Sequence, residues 1–378
     1  MIKVLQVVDS MNLGGIQSFL MSIYRNLDYD KIQFHFLVHT EKECFYDSEI
    51  RALGGKIFNV PARNQGINKN RKALIKFFEN NKNYQIVHMH ESSLSYIEPL
   101  NIAKKFGVKT RIIHSHSTGF SKGNYIHKIL HKFHQLNIIK ISTHRFSCSD
   151  KASRWMYGTE NGVTIIKNGI DLKKYNFNMK IREEYRKKFK IQNNIVIGHV
   201  GRFTYPKNHI FLLKIFKKLL SYNEKFILLL VGEGPLKKEI EQLSMKLNIN
   251  NKVIFLGGRK DISKILQSMD IFLFPSLYEG LPLSLVEAQA AGLKCIVSDS
   301  VTKQVNLTNF YYDFSLEKSS LEWAKFILKN INYRRNCCID ILKNKGFDII
   351  DTAVWLQKFY VKESEEKNER DEKNKVNK

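Results

Sequence analysis

The segment 270–299, DIFLFPSLYEGLPLSLVEAQAAGLKCIVSD, constrains the fold more than any other part of the chain. Its apolar run 271–274 suits a strand buried on both faces. Pro275 stops the run, and 276–282 is a loop carrying Glu279 and Gly280. Pro282 suits the first turn of a helix, where its missing N–H costs nothing. That helix runs through 283–291 and stops at Gly292, and 295–297 reads as the next strand. Strand, helix and strand in this order belong to a parallel α/β sheet. The free N–H groups at 280–283 point beyond the strand ends, where an anion is the natural occupant. Glu279 and Glu287 add one carboxylate on the loop and one inside the helix, two groups able to grip sugar hydroxyls.

The same alternation runs along the whole chain. Strands are expected at 3–8, 34–39, 57–60, 86–90, 111–114, 144–148 and 164–166, with helices at 16–27, 69–80 and 94–106. A turn-like Asn-Gly-Ile-Asp break at 168–171 and a charged stretch to about 194 follow. A second alternation places strands at 195–200, 226–231 and 253–256, and helices at 210–221, 236–247 and 262–269. Helices at 321–329 and 333–344 come after the opening segment. The layout predicts an α/β protein of two Rossmann-like domains, 1–170 and 171–350, facing each other across a deep cleft that holds the ligand. A helix over 351–361 is expected to pack back toward the first domain. The charged tail 362–378 is expected to be disordered, or at most a solvated helix extension.

At 378 residues the chain exceeds what one core usually serves, in keeping with two domains. No apolar run approaches the ~20 residues that span a bilayer, and 1–9 reads as a strand rather than a signal peptide. The five cysteines (44, 148, 295, 337 and 338) lack metal-ligand spacing and suit reduced thiols of a cytoplasmic protein. The formal charge is +25, yet the tail holds six basic and six acidic residues, so the excess lies in the folded part. Between Glu98 and Asp150 there is no acidic residue, against nine Lys/Arg and six His. Such a surface attracts phosphates, nucleic acid or an anionic membrane face; a general enrichment in Lys and Asn is the alternative reading.

Several residues stand where a strand ends and ligands bind. Arg202 and Lys207, in GRFTYPKN after the strand 195–200, can clamp a diphosphate from the side opposite the Gly280 turn. Gly14-Gly15 lets backbone approach a ligand closely, although it is not GxGxxG, and the Walker pattern is missing. His114 and His116 end a strand at the same edge. His116 suits a contact to a substrate hydroxyl and His114 a structural role, while a metal site would need a further ligand such as His88 or His90. In 121–142, Tyr125, Ile126, Ile129, Leu130, Phe133 and Leu136 recur at helical spacing among basic residues. That stripe belongs either in the core or against anionic lipid head groups.

Taken together these motifs resemble the retaining glycosyltransferases of family 4, of GT-B architecture. The resemblance rests on the N-terminal GG, HSH, NGID, GRFTYPKN, VGEGP, FLGGRKD and FPSLYEGLPLSLVEAQAAG with its EX7E pattern, in order over roughly 3–299. The later SDSVTKQVNLTN is similar to the branch that makes bacterial exopolysaccharide and capsule. The resemblance implies that Arg202 and Lys207 bind the donor diphosphate and that Glu287 grips the ribose. It places Glu279 with the Gly280 and Leu281 backbone on sugar and phosphate, Gly15 near the diphosphate, His116 on the transferred sugar and 257–261 beside the base. Lys294 stands where such proteins commonly have Pro, which should affect little.

The expected activity is transfer from a nucleotide-sugar donor, UDP-linked, to a lipid-linked or saccharide acceptor. No cofactor or metal is expected, since Arg202, Lys207 and a helix N-terminus can stabilise the leaving diphosphate. The expected partners include the anionic inner membrane surface and no nucleic acid, and the expected location is cytoplasmic and membrane-peripheral. The alternatives are a nucleotide-sugar epimerase on the same architecture and a non-catalytic nucleic-acid-binding protein.

Overall fold

The computed structural model describes residues 1–120 and 125–376, with side chains described as far as residue 365. The chain forms two compact units, one of Met1–Gly169 with Ile349–Lys378 and one of Ile170–Asp348.

The first unit is built on seven strands: β1 (Ile2–Val8), β2 (Ile32–Val38), β3 (Ile57–Asn59), β4 (Ile86–Glu91), β5 (Thr110–Ser115), β6 (His144–Ser147) and β7 (Thr164–Ile165). They lie side by side in the order β3-β2-β1-β4-β5-β6-β7, and every pairing is parallel. Side-chain alternation serves both faces. Val4 and Val8 enter one buried cluster with Tyr24, Phe34 and Phe146, whereas Leu5 and Val7 enter another with Leu74, Met89 and Ile113. Both faces are therefore covered, which is why these strands read as nearly continuous apolar runs.

The C-terminal helix Ile349–Val376 covers one of those faces with Ile349, Ala353, Leu356 and Tyr360, spaced at helical intervals. It begins earlier and extends further than 351–361. The expected tail also changes character at its start. Glu363 accepts a hydrogen bond from Thr110 Oγ1 at 2.9 Å, and Ser364 Oγ meets Gln85 Oε1 at 2.8 Å. Residues 363 and 364 are thus docked rather than solvated, because the helix carries them past the starts of β4 and β5.

The second unit contains β8 (Ile195–Val200), β9 (Phe226–Val231), β10 (Val253–Gly257), β11 (Ile271–Phe274), β12 (Lys294–Ser298) and β13 (Tyr311–Phe314), in the parallel order β10-β9-β8-β11-β12-β13. Strand β13 was not expected, since its YYDF sequence is short and carries a charge. It holds a sheet edge through its register with β12.

The charged stretch after 171 forms helices Leu172–Tyr175 and Met179–Lys188, the latter capped by Asn178 Oδ1 accepting from Ile181 N. One further expectation needs correction. Of the helix expected over 333–344, only Ile339–Asn344 is helical. Tyr333 and Arg335 are instead committed to distant backbone. Tyr333 Oη accepts from Lys294 N and donates to the Asp270 carbonyl, both at 2.9 Å, and Arg335 donates to the Met269 carbonyl. Lys294 is consequently well suited where it stands, because a proline there would lack that N–H.

The stripe in 121–142 is also settled for its described part, helix Tyr125–Ile141; residues 121–124 lie outside the described residues. Only His131 and Ile138 of this helix are buried, so the stripe does not enter the core.

Candidate active site

Both sheets reverse their chain order once, between β1 and β4 and between β8 and β11. Loops leaving the carboxyl ends of strands diverge at such a point and leave a crevice for ligand. In the second unit the loop after β8 carries Arg202 and Lys207, and the loop after β11 carries Glu279 and Gly280. Three interactions tie these loops together. Leu277 N donates to the Pro206 carbonyl at 2.8 Å, Asn208 Nδ2 donates to the Pro275 carbonyl at 3.1 Å, and Lys207 Nζ lies 2.7 Å from Glu279 Oε1. Lys207 Nζ also sits 4.5 Å from the centroid of the Phe274 ring.

The glycines of VGEGP lock a third loop onto the first. Gly232 has φ +146°, and a Cβ there would lie 2.1 Å from the Gly201 carbonyl oxygen. A Cβ on Gly234 would lie 2.4 Å from the Phe203 carbonyl oxygen. Between them the Glu233 carbonyl accepts from Phe203 N at 3.0 Å, while its carboxylate accepts from Gly258 N at 3.2 Å and Lys237 Nζ at 2.9 Å. The loops after β8, β9 and β10 are therefore one hydrogen-bonded assembly. The spaced motifs of the sequence meet in it.

Around this assembly several groups remain available. Arg202 is exposed and has no acidic partner among the described residues. The N–H groups of Gly280, Leu281 and Leu283 have no acceptor among the described residues. They precede or open the helix Leu283–Ala290, whose positive end favours an anion. Further along that helix Glu287 Oε1 accepts from Tyr175 Oη at 2.7 Å. Burial pushes the Glu287 carboxyl up to about 7, with the Tyr175 hydrogen bond pulling the other way. Tyr175 carries no signal in the sequence, because it acts on Glu287 across 112 residues.

Gly15 and His116 belong to the first unit. Gly15 opens the helix Gly15–Tyr24, and the space a Cβ would take is open. His116 stands on a stack of histidines at the ends of β4 and β5. The His114 and His116 ring centroids are 4.1 Å apart, and those of His88 and His90 are 4.2 Å apart. A hydrogen-bonded chain runs from Gln6 Oε1 to His90 Nε2 at 2.8 Å, and from His90 Nδ1 to His116 Nε2 at 2.9 Å. The sequence alone did not mark Gln6 or His90 as partners of His116. Burial pushes the His116 imidazole down to about 3, which keeps it neutral near pH 7. Its Nδ1 is buried without a partner among the described residues.

The nitrogens of His88, His90 and His114 that could hold a cation lie within 4.8 Å of one another. Both nitrogens of His90 are already engaged, and Nδ1 of His88 meets Tyr360 Oη at 2.7 Å. The three rings are in ring contact rather than hydrogen-bonded to one another, and of them His90 alone is bonded to His116 among the described residues.

At the β1/β4 reversal the first unit has a cavity of about 750 Å³ whose lining includes Asp9, Gln17, Arg63, Glu91, Tyr96 and His127. Burial, helped by the neighbouring Asp9 charge, pushes the Glu91 carboxyl up to about 8. The mix of carboxyls, an amide, a guanidinium and an aromatic ring suits a hydroxyl-rich ligand.

Residues 181–309 match the family model described as Glycosyl transferases group 1. Over 86% of this chain and 87% of its counterpart, the protein is 36% identical to the putative glycosyltransferase EpsF of Bacillus subtilis. It is 26% identical, over 92% and 94%, to the UDP-Gal:alpha-D-GlcNAc-diphosphoundecaprenol alpha-1,3-galactosyltransferase of Escherichia coli. It is 27% identical, over 96% and 99%, to the capsular polysaccharide biosynthesis glycosyltransferase CapH of Staphylococcus aureus. Among solved structures, HepE of Anabaena in complex with UDP and glucose superposes with a TM-score of 0.68 at 16% identity, over 98% of this chain and 99% of that one. At that identity the likeness speaks for the fold.

Proposed function

The chain belongs to the group 1 glycosyl transferases, and on that premise we propose that it moves a sugar from a UDP-linked donor to a lipid-linked polysaccharide precursor, with retention at the anomeric carbon. The sugar is transferred in exopolysaccharide or capsule synthesis, and the name of the S. aureus relative, a capsular polysaccharide biosynthesis glycosyltransferase, supports that process. The UDP and diphosphoundecaprenol in the name of the E. coli relative favour the donor and acceptor classes. Transfer rather than epimerisation is the family's chemistry, so the epimerase reading is set aside.

The observation that carries this reading is the Lys207–Glu279 pair beside the N–H groups of Gly280 and Leu281. In the reaction the bond from the anomeric carbon to the diphosphate oxygen breaks, and the acceptor oxygen bonds to that carbon on the same face. The acceptor proton goes to the departing phosphate oxygen, so no protein nucleophile is required. Arg202, Lys207 and the helix N-terminus take up the growing negative charge, which removes the need for a divalent ion. Glu287 holds the ribose hydroxyls, and Glu279 orients Lys207 while facing the sugar. Gly15 lets backbone approach the diphosphate closely. The unpartnered Nδ1 of His116 takes a sugar hydroxyl, which would satisfy a buried polar atom. The enzyme works in the cytoplasm at the membrane surface, where the lipid-linked acceptor resides; among the described residues no helix is long and apolar enough to cross a membrane.

The test is sugar transfer by Glu279→Ala and by the Arg202→Ala/Lys207→Ala double variant, with circular dichroism to verify folding. Loss of transfer in folded protein is expected. Full activity in either variant overturns the assignment.

A further inference from the structure

We propose that the helix Tyr125–Ile141 docks the protein on an anionic bilayer by laying an apolar ridge into the headgroup region. The choice of a lipid surface deepens the reading above and rests on it for the acceptor; the ridge itself is a property of the fold.

A surface helix normally turns its apolar stripe inward. This one does the reverse. Tyr125, Ile126, Ile129, Phe133, Leu136 and Ile139 are each between 51% and 80% exposed. At 100° per residue these six fall within an arc of about 140°. The inward face mixes polar groups with the buried Ile138 and the half-buried Leu130 and Ile141, and hydrogen bonds pin it. His131 Nδ1 accepts from Leu94 N at 3.0 Å while its Nε2 meets the Trp155 carbonyl at 3.1 Å, and His134 Nδ1 meets the Leu94 carbonyl at 2.6 Å. Gln135 Nε2 donates to the same Trp155 carbonyl at 3.1 Å. The helix is therefore held in place through that inward face, leaving the exposed apolar ridge without a packing partner among the described residues.

Charge identifies the occupant. Lys128, Lys132 and Lys140 are exposed on the ridge or at its border, and the helix carries no Asp or Glu. Lys104 Nζ, bonded to the Lys140 carbonyl at 2.6 Å, adds a cation at the helix end. Self-association through this face would set like charges against each other. An anionic headgroup layer neutralises them while the ridge enters the acyl boundary, the pattern of helices that lie in the membrane plane. His127, on the same helix, lines the cavity at the β1/β4 reversal. Docking would bring that cavity to the surface in which a lipid-linked acceptor is anchored.

The test is flotation of the full chain with phosphatidylglycerol-rich vesicles and with pure phosphatidylcholine vesicles, alongside a thermal-shift measurement with UDP. Binding to the anionic vesicles, weakened by salt, is expected. Ile129→Glu/Leu136→Glu should lower it at least about tenfold, and each of Lys128→Gln and Lys132→Gln by about fivefold. Both substitution sets lie on exposed positions, so the UDP-induced shift should persist. No binding by the unaltered protein, or equal binding by the double glutamate variant, overturns the proposal. So does a dimer in sedimentation velocity that the same variant dissociates without any vesicle binding, which would assign the ridge to a second copy. Vesicle binding with no UDP shift would sustain the docking and remove the donor assignment instead.

Discussion

Lys207 Nζ lies 2.7 Å from Glu279 Oε1, joining the loops that follow two adjacent parallel strands at the point where the sheet reverses its order. Their side chains are 16% and 14% exposed, so the pair is largely withdrawn from water. The cation that would meet a diphosphate is thereby held in place before the ligand arrives, and its charge is balanced meanwhile. Removing either partner leaves the other as a mostly buried, unpaired charge.

Glu279→Ala and Lys207→Ala should each lower stability by about 2 kcal/mol, and the double variant should lose little more than either single one. Transfer should fall at least about 100-fold in each. Urea unfolding and initial rates check the two parts separately, and additive stability losses would show that the pair is not coupled.

Gly232 places its neighbours so closely that a methyl group would overlap the Gly201 carbonyl, at a φ of +146° that disfavours side chains. Gly232→Ala should lower stability by about 1–3 kcal/mol. Because the displaced loop bears Arg202, UDP affinity should fall about tenfold as well. Calorimetric titration with UDP measures the second effect.

Glu287 makes stability and ligand binding respond oppositely to pH. Its carboxyl is raised from 4.5 to about 7 in the folded state, so between those values the folded protein holds more protons than the unfolded chain. The contribution to stability is complete below about 4.5 and is lost as pH rises through about 7. UDP affinity should instead rise over that upper range, since an ionised carboxylate accepts from ribose hydroxyls with both oxygens. Glu287→Gln should flatten both profiles, as followed by melting and titration across pH.

Tyr175 tunes that response. Tyr175→Phe removes the hydrogen bond that holds the Glu287 carboxyl down, so the midpoint of the pH profile should move above about 7. UDP affinity at neutral pH should drop about fivefold, in line with the loss of one ordinary hydrogen bond. An unchanged midpoint would exclude this tuning.

Tyr333 provides a contrast remote from the ligand. Its hydroxyl bridges Lys294 N and the Asp270 carbonyl, and Tyr333→Phe leaves both without that partner. A stability loss of about 1–2 kcal/mol with unaltered UDP affinity is expected from paired melting and titration experiments.

Much of this was legible in the order of residues. The alternation of apolar strands with helices, the double α/β layout, and the loops bearing Arg202, Lys207, Glu279 and Glu287 follow from periodicity, Gly/Pro punctuation and residue type, all local properties of a chain. The glycines of VGEGP were visible as a motif, although their reason, contact with the Gly201 and Phe203 carbonyls, was not. Tertiary structure alone decided the pairings across long separations: Lys207 with Glu279, Tyr175 with Glu287, and Gln6 through His90 to His116. It also drew 333–338 out of a helix, because the Tyr333 hydroxyl and the Arg335 guanidinium found carbonyls far away in sequence. Helix Tyr125–Ile141 marks the limit most clearly. Its spacing predicted an amphipathic helix, but periodicity is the same whichever face is buried. The backbone groups that capture His131, His134 and Gln135, together with the burial of Ile138, determine that the ridge faces out.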